Sequence, residues 1–110
     1  VWTGPETVIP ILYYKDAAKA AIDLAAAPLD DIKTMNYLVD GVRPTPTAGE
    51  LADAVQSRVP DAKITFDVDP AAAISLARNL TIDDAVARAE WGWEPAFGLD
   101  AMIDDFLADL

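Results

Sequence analysis

The residues of this chain that could do chemistry are few, and most are acids. Three carboxylate pairs occur: Asp30-Asp31, Asp83-Asp84 and Asp104-Asp105. Paired carboxylates can share a proton or hold a divalent cation. The first two pairs fall at predicted helix or turn boundaries, where Asp accepts from free N–H groups and favours the helix dipole. Capping is the simpler reading of Asp83-Asp84, and a carboxylate metal site is its alternative. Asp104-Asp105 falls on the polar face of a predicted helix and reads as solvated. Trp91-Gly92-Trp93 could stack on a flat ligand or anchor the terminal helix to the core. Tyr13 and Tyr14 could place a phenol in a cleft or simply pack. Arg78, with Asn79 beside it, follows an apolar segment and could hold an anion bidentately. A plain surface arginine fits the same spacing. Asn79-Leu80-Thr81 has the form of a glycosylation sequon.

The missing residue types narrow the chemistry further. The 110 residues contain no His and no Cys. Every Ser-His-Asp or Cys-His arrangement is therefore excluded, as are disulfides and Cys-based zinc sites. Gly4, Gly41, Gly49, Gly92 and Gly98 are too dispersed to form a phosphate-cradling loop. Eight Lys plus Arg against nineteen Asp plus Glu give a net charge of -11. Such a chain makes a poor partner for a nucleic acid or an anionic membrane, since both require a basic face. No apolar run approaches the ~20 residues of a membrane helix. No signal peptide is visible, so a cytoplasmic location is expected. The chain opens Val-Trp-Thr-Gly-Pro with no initiating Met, which reads as a piece of a longer polypeptide.

The elements that must position these residues follow from local signals. A hydrophobic content of 53% is globular, and the length suits a single domain. Residues 9–14 form a short apolar strand candidate, followed by an alanine-rich helix capped at Asp16 and stopped at Pro28. Residues 35–39 are a second strand candidate. Thr47 and Glu50 have capping-box spacing and start a helix that Pro60 ends. Ile64, Phe66 and Val68 alternate as on a half-buried strand. Asp69-Pro70 starts another helix. A short helix over 85–90 ends at Gly92, which suits a left-handed cap. Leu99, Met102, Ile103, Phe106, Leu107 and Leu110 line one face of a last, amphipathic helix. This order predicts an α/β fold, with a small, mainly parallel sheet flanked by helices.

Several stretches occur together in one family and in this order. They are Ile9 to Asp16 (Ile-Pro-Ile-Leu-Tyr-Tyr-Lys-Asp), Asn36-Tyr37, Thr45-Pro46-Thr47 with Glu50-Leu51-Ala52, Ile82-Asp83-Asp84 with Ala87-Arg88, and Trp91-Gly92-Trp93 with Pro95. They resemble the C-terminal portion of extended short-chain dehydrogenases/reductases, the NAD-dependent epimerase/dehydratase family. The nearest branch is that of the short-chain-type L-threonine 3-dehydrogenases. The resemblance covers nearly all 110 residues.

The resemblance implies a single substrate-binding lobe, residues 1–110, of a longer enzyme. In that family NAD and the catalytic Tyr-x-x-x-Lys pair belong to a separate N-terminal Rossmann lobe. Tyr13, Tyr14 and Tyr37 have no Lys four residues on, so no catalytic, cofactor-binding or metal-binding residue is expected here. NAD belongs to the full-length parent alone, and hydride transfer is not expected of this chain by itself. The expected partners are a small-molecule substrate, the Rossmann lobe and, through exposed apolar surface near Trp2 and residues 9–14, a second copy. The substrate class is a small hydroxy or amino-hydroxy acid, or a sugar-like secondary alcohol. Val8 and Ile9 stand where nucleotide-sugar enzymes place a diphosphate-binding Arg. Arg78-Asn79 stands where threonine dehydrogenases tend to have Trp-Pro. An arginine there suits a carboxylate-bearing substrate. Arg78, Asn79, Tyr13 and Trp2 are the expected substrate contacts. A stand-alone interaction module without enzyme activity is the competing reading.

Overall fold

Five α-helices carry this chain. They are seen in a computed structural model that describes residues 1–76, 78 and 81–110. Helix α1 spans Tyr14–Ala26, α2 Ala48–Arg58, α3 Pro70–Leu76, α4 Ala85–Trp91 and α5 Leu99–Ala108. A 3-10 turn, Leu29–Asp31, follows α1.

The helix boundaries follow their local chemistry. At α2 the Glu50 N–H donates to Thr47 Oγ1 at 3.1 Å, and the Thr47 N–H donates to Glu50 Oε2 at 2.8 Å. Two otherwise orphaned donors are thereby satisfied, as the spacing predicts. Asp69 accepts from the Ala71 N–H at 2.9 Å at the start of α3, and Asp83 from the Ala85 N–H at 3.0 Å before α4. Gly92 ends α4 at φ 72°, a conformation that costs side-chain-bearing residues free energy.

Helix α1 departs from expectation at its first turn. It begins at Tyr14, and Asp16 lies inside it instead of capping it. The Asp16 side chain is fully buried and accepts from the Ala96 and Phe97 N–H groups at 2.8 and 3.2 Å. It ties α1 to the loop before α5, a long-range partnership that no local signal announces.

The expected small parallel sheet is not formed among the described residues. An isolated antiparallel bridge joins Val8 and Thr47. Elsewhere the Val42 N–H donates to the Ile11 carbonyl at 2.8 Å, and residues 1–2 run beside 65–69: the Val1 amino group donates to the Thr65 carbonyl at 2.8 Å, the Asp67 N–H to the Val1 carbonyl at 2.8 Å and the Asp69 N–H to the Trp2 carbonyl at 2.9 Å. Among the described residues no backbone hydrogen bond reaches 35–39, although Tyr37 and Val39 pack inward while Met35 is 96% exposed and Leu38 65%. Alternation and apolar content identify extended backbone, but a sheet also needs partner edges.

Two apolar clusters hold the chain together. Tyr13, Val42, Met102 and Ile103 form one, against which Leu51 and Val55 of α2 and Leu107 of α5 pack. Ala20, Ala87 and Trp93 form the other, with Leu12, Tyr37 and Trp91 against them. Trp93 thus anchors α1 to α4, not the terminal helix as the spacing suggested. Salt pairs reinforce the first cluster. Arg58 on α2 reaches Asp100 and Asp104 on α5, and Lys15 on α1 reaches Asp105 and Asp109 at 2.6 and 2.8 Å. The acidic face of α5 is therefore a set of clasps and not merely solvated.

The result is open. The radius of gyration is 16.1 Å, where a compact domain of this length has about 13 Å. The accessible surface is 7214 Å², where a chain of this mass has roughly 5,900 Å².

Candidate substrate-contacting surface

Arg78 lines a cavity of about 350 Å³ with Val8, Ile9, Pro10, Leu76 and Ile82, and Thr81 at its wall. The site is built by three segments. Val8 is held by its bridge to Thr47, and the Ile9 N–H donates to the Pro46 carbonyl at 2.8 Å. Leu76 comes from the last residue of α3, and Thr81-Ile82 lead into α4. Arg78 is exposed, and among the described residues it enters no ion pair with a carboxylate. A guanidinium at the rim of a mainly apolar hollow can hold a carboxylate while the walls receive a short carbon chain.

The four expected contacts do not converge. Asn79 lies outside the described residues. Tyr13 is buried in the first cluster, and its hydroxyl donates to Asp105 Oδ2 at 2.7 Å. Burial first, and then the Asp105 carboxylate, raise that phenol well above its usual range. Tyr13 sits instead along an apolar groove of about 370 Å³ between α2, α5 and residues 11–14. Trp2 is 77% exposed, and its carbonyl accepts from the Asp69 N–H, away from the Arg78 cavity.

Two arginines that carried no sequence-based expectation are tied into a buried network. Arg43 Nη2 donates to Asp84 Oδ1 at 2.6 Å, and Arg88 Nε donates to the same oxygen at 3.0 Å. Arg43 Nε donates to Asp40 Oδ2 at 3.2 Å. The side chains of Asp40 and Asp84 are 5% and 3% exposed. Burial works against the charge on Asp84, but the bonds from Arg88 and Arg43 outweigh it and hold the carboxyl below the usual carboxylate range. The Asp84–Arg88 spacing of four is the one local signal from which half of this network could have been read. Among the described residues no group of three or more His, Cys, Asp or Glu side chains could hold a metal ion.

These carboxylates set an acid limit on stability. Asp84, Glu90, Asp104, Asp105 and Asp109 are all held below their usual values, four of them chiefly by hydrogen bonds from Arg, Lys or Tyr and Asp84 as just described. A depressed folded pKa means that the unfolded chain takes up the proton first. The stability these groups contribute is present above the unfolded carboxylate range, about pH 4, and is lost as pH falls through the folded values. The urea midpoint, measured in 0.15 M salt to screen the net charge, should be flat from pH 7 to 5 and fall below that. A midpoint that rises between pH 5 and 3 would contradict these pairings.

Known proteins resemble this chain in sequence and in fold. The chain is 32% identical over 104 residues to the bovine (Bos taurus) mitochondrial L-threonine 3-dehydrogenase, a match covering 94% of the chain and 27% of that protein. It is 33% identical over 99 residues to an uncharacterized epimerase/dehydratase of Staphylococcus saprophyticus, covering 88% of the chain and 30% of that protein. The holo form of a GalE-like L-threonine dehydrogenase from Cupriavidus necator superposes with a TM-score of 0.84 at 32% identity, over 98% of the chain and 35% of that structure. No family model matches. The fold and these likenesses define the class, the extended short-chain dehydrogenases/reductases, to whose C-terminal portion the chain corresponds. Within that class its relatives are L-threonine 3-dehydrogenases and epimerase/dehydratase proteins. The chain spans under a third of the curated relatives it matches. No described helix is long and apolar enough to cross a membrane.

Proposed function

We propose that this chain is the substrate-binding lobe of an NAD-dependent dehydrogenase or epimerase acting on a small hydroxy or amino-hydroxy acid. The observation that carries the reading is Arg78, a cation outside every ion pair among the described residues, at the rim of a mainly apolar cavity. Arg78 would hold the substrate carboxylate, with Asn79 beside it in sequence, while the NAD-binding lobe supplies hydride acceptor and base. That lobe would also cover the excess surface. The unpaired, two-faced apolar segment 35–39 has the character of a strand buried within a larger parallel sheet. The isolated chain should therefore self-associate as concentration rises.

The test is Arg78→Ala in the full-length protein. A charged hydrogen bond to carboxylate corresponds to roughly a ten- to hundredfold effect. KM for the acid substrate should rise by that factor, with kcat much less affected, because the contact is made equally in ground and transition states. An unchanged KM would overturn the assignment of Arg78.

A further inference from the structure

Thr81 and Ile82 line the Arg78 cavity. The same two residues wall a second hollow, of about 280 Å³, whose far side is Asp40, Arg43, Pro44 and Thr45. The two hollows share these walls, and one guanidinium lines each, Arg78 the first and Arg43 the second.

Their electrostatics differ. Arg78 meets no carboxylate among the described residues, whereas Arg43 is held by two buried ones. A guanidinium carries five N–H donors. Arg43 commits Nε to Asp40 and one Nη2 hydrogen to Asp84, so three donors remain, and its side chain is 44% exposed. The charges of Arg43 and Arg88 are balanced by those of Asp40 and Asp84. Arg43 is therefore a hydrogen-bond donor held at two points, in locally neutral surroundings. A second carboxylate placed there would find little net positive charge and would lie near two buried anions. A hydroxyl or carbonyl oxygen would accept from it without that repulsion.

We propose that Arg43 is a specificity-determining residue, and that the double hollow takes a monoanionic acid carrying a hydroxyl or carbonyl at the end remote from its carboxylate. This rests on the assignment of Arg78 as the carboxylate holder. It places the substrate above threonine in length.

The test is titration of the 15N-labelled full-length protein, followed by NMR, with three probes. These are 3-hydroxybutyrate (short), gluconate (monoanionic, with remote hydroxyls) and glucarate (the same carbon skeleton with a second carboxylate). Gluconate should shift the signals of both Arg78 and the Arg43 Nε–H, and should bind about three- to tenfold more tightly than 3-hydroxybutyrate, the factor of one neutral hydrogen bond. Glucarate should show no such gain. Arg43→Lys, which keeps the charge and loses the fork, should abolish the gluconate advantage. Because the Arg43 Nε–H is read in the unaltered chain, misfolding of the variant leaves the question decidable. Shifts at Arg78 with a motionless Arg43 signal and equal affinities would overturn the role of Arg43 and leave the carboxylate site standing. Tighter binding of glucarate would overturn the neutral-acceptor assignment. No shift at Arg78 with any acid would remove the carboxylate site itself, and this inference with it.

Discussion

Trp93→Ala should lower the unfolding free energy by about 3–5 kcal/mol, the range for emptying a large aromatic from a core. Trp93 is 1% exposed and fills the junction between Ala20 of α1 and Ala87 of α4. Its indole N–H donates to the Asp40 carbonyl at 2.9 Å, which fixes the loop that carries Arg43. Trp91 packs on one side at 5.8 Å between ring centroids, and Lys19 Nζ lies 5.3 Å from the ring. Alanines facing the cavity cannot grow to fill it, and the loss is comparable with the whole stability of a small domain, about 5–15 kcal/mol. Urea unfolding followed by far-ultraviolet circular dichroism measures it. Trp93→Phe keeps most of the bulk but strands the carbonyl, and should fall between the two. A loss under 1 kcal/mol for the alanine variant would mean that Trp93 is not the anchor.

Gly41→Ala should be the most damaging one-carbon change, costing about 3 kcal/mol, at the upper end for overpacking. A Cβ at Gly41 would lie 2.3 Å from the Ile11 carbonyl oxygen and 2.7 Å from Leu12 Cα. Both are backbone atoms and cannot swing aside. The same Ile11 oxygen accepts from the Val42 N–H at 2.8 Å, so relieving the clash breaks the bond that joins the two segments. Gly98→Ala is the control. A Cβ there meets nothing within 4 Å and φ is -83°, so its effect should stay within about 1 kcal/mol. Equal effects at the two sites would contradict the close approach at Gly41.

What the sequence disclosed and what it concealed divide along the range of the interaction. The Thr47–Glu50 box, the Asp69-Pro70 start, the left-handed Gly92 and the apolar face of α5 are decided by residues within a turn of each other. A string of letters displays such relations directly. Asp16 bonding to the Ala96 and Phe97 N–H groups is decided 80 residues away. The clasps from Lys15 and Arg58 to α5 and the meeting of Arg43 with Asp84 also join residues more than 40 positions apart. The sheet failed for a related reason. Residues 9–13, 36–39 and 63–68 lie outside the helices as their composition requires, but pairing is a property of two strands. Of the four expected contacts, Arg78 is the one the structure places in the wall of the candidate cavity. Tyr13 and Trp2 were chosen for residue type, and burial or remoteness took them elsewhere.

The pairing of cations has a kinetic consequence. Of eight basic residues, Lys15, Lys19, Arg43, Arg58 and Arg88 are engaged by carboxylates, while the net charge stays at -11. An anion approaching from solution meets a repulsive field and feels Arg78 only within a few ångströms, inside one Debye length. Capture is then opposed at long range and favoured at contact. Adding salt should speed association of an acid with this chain before it weakens the complex, the reverse of electrostatic steering.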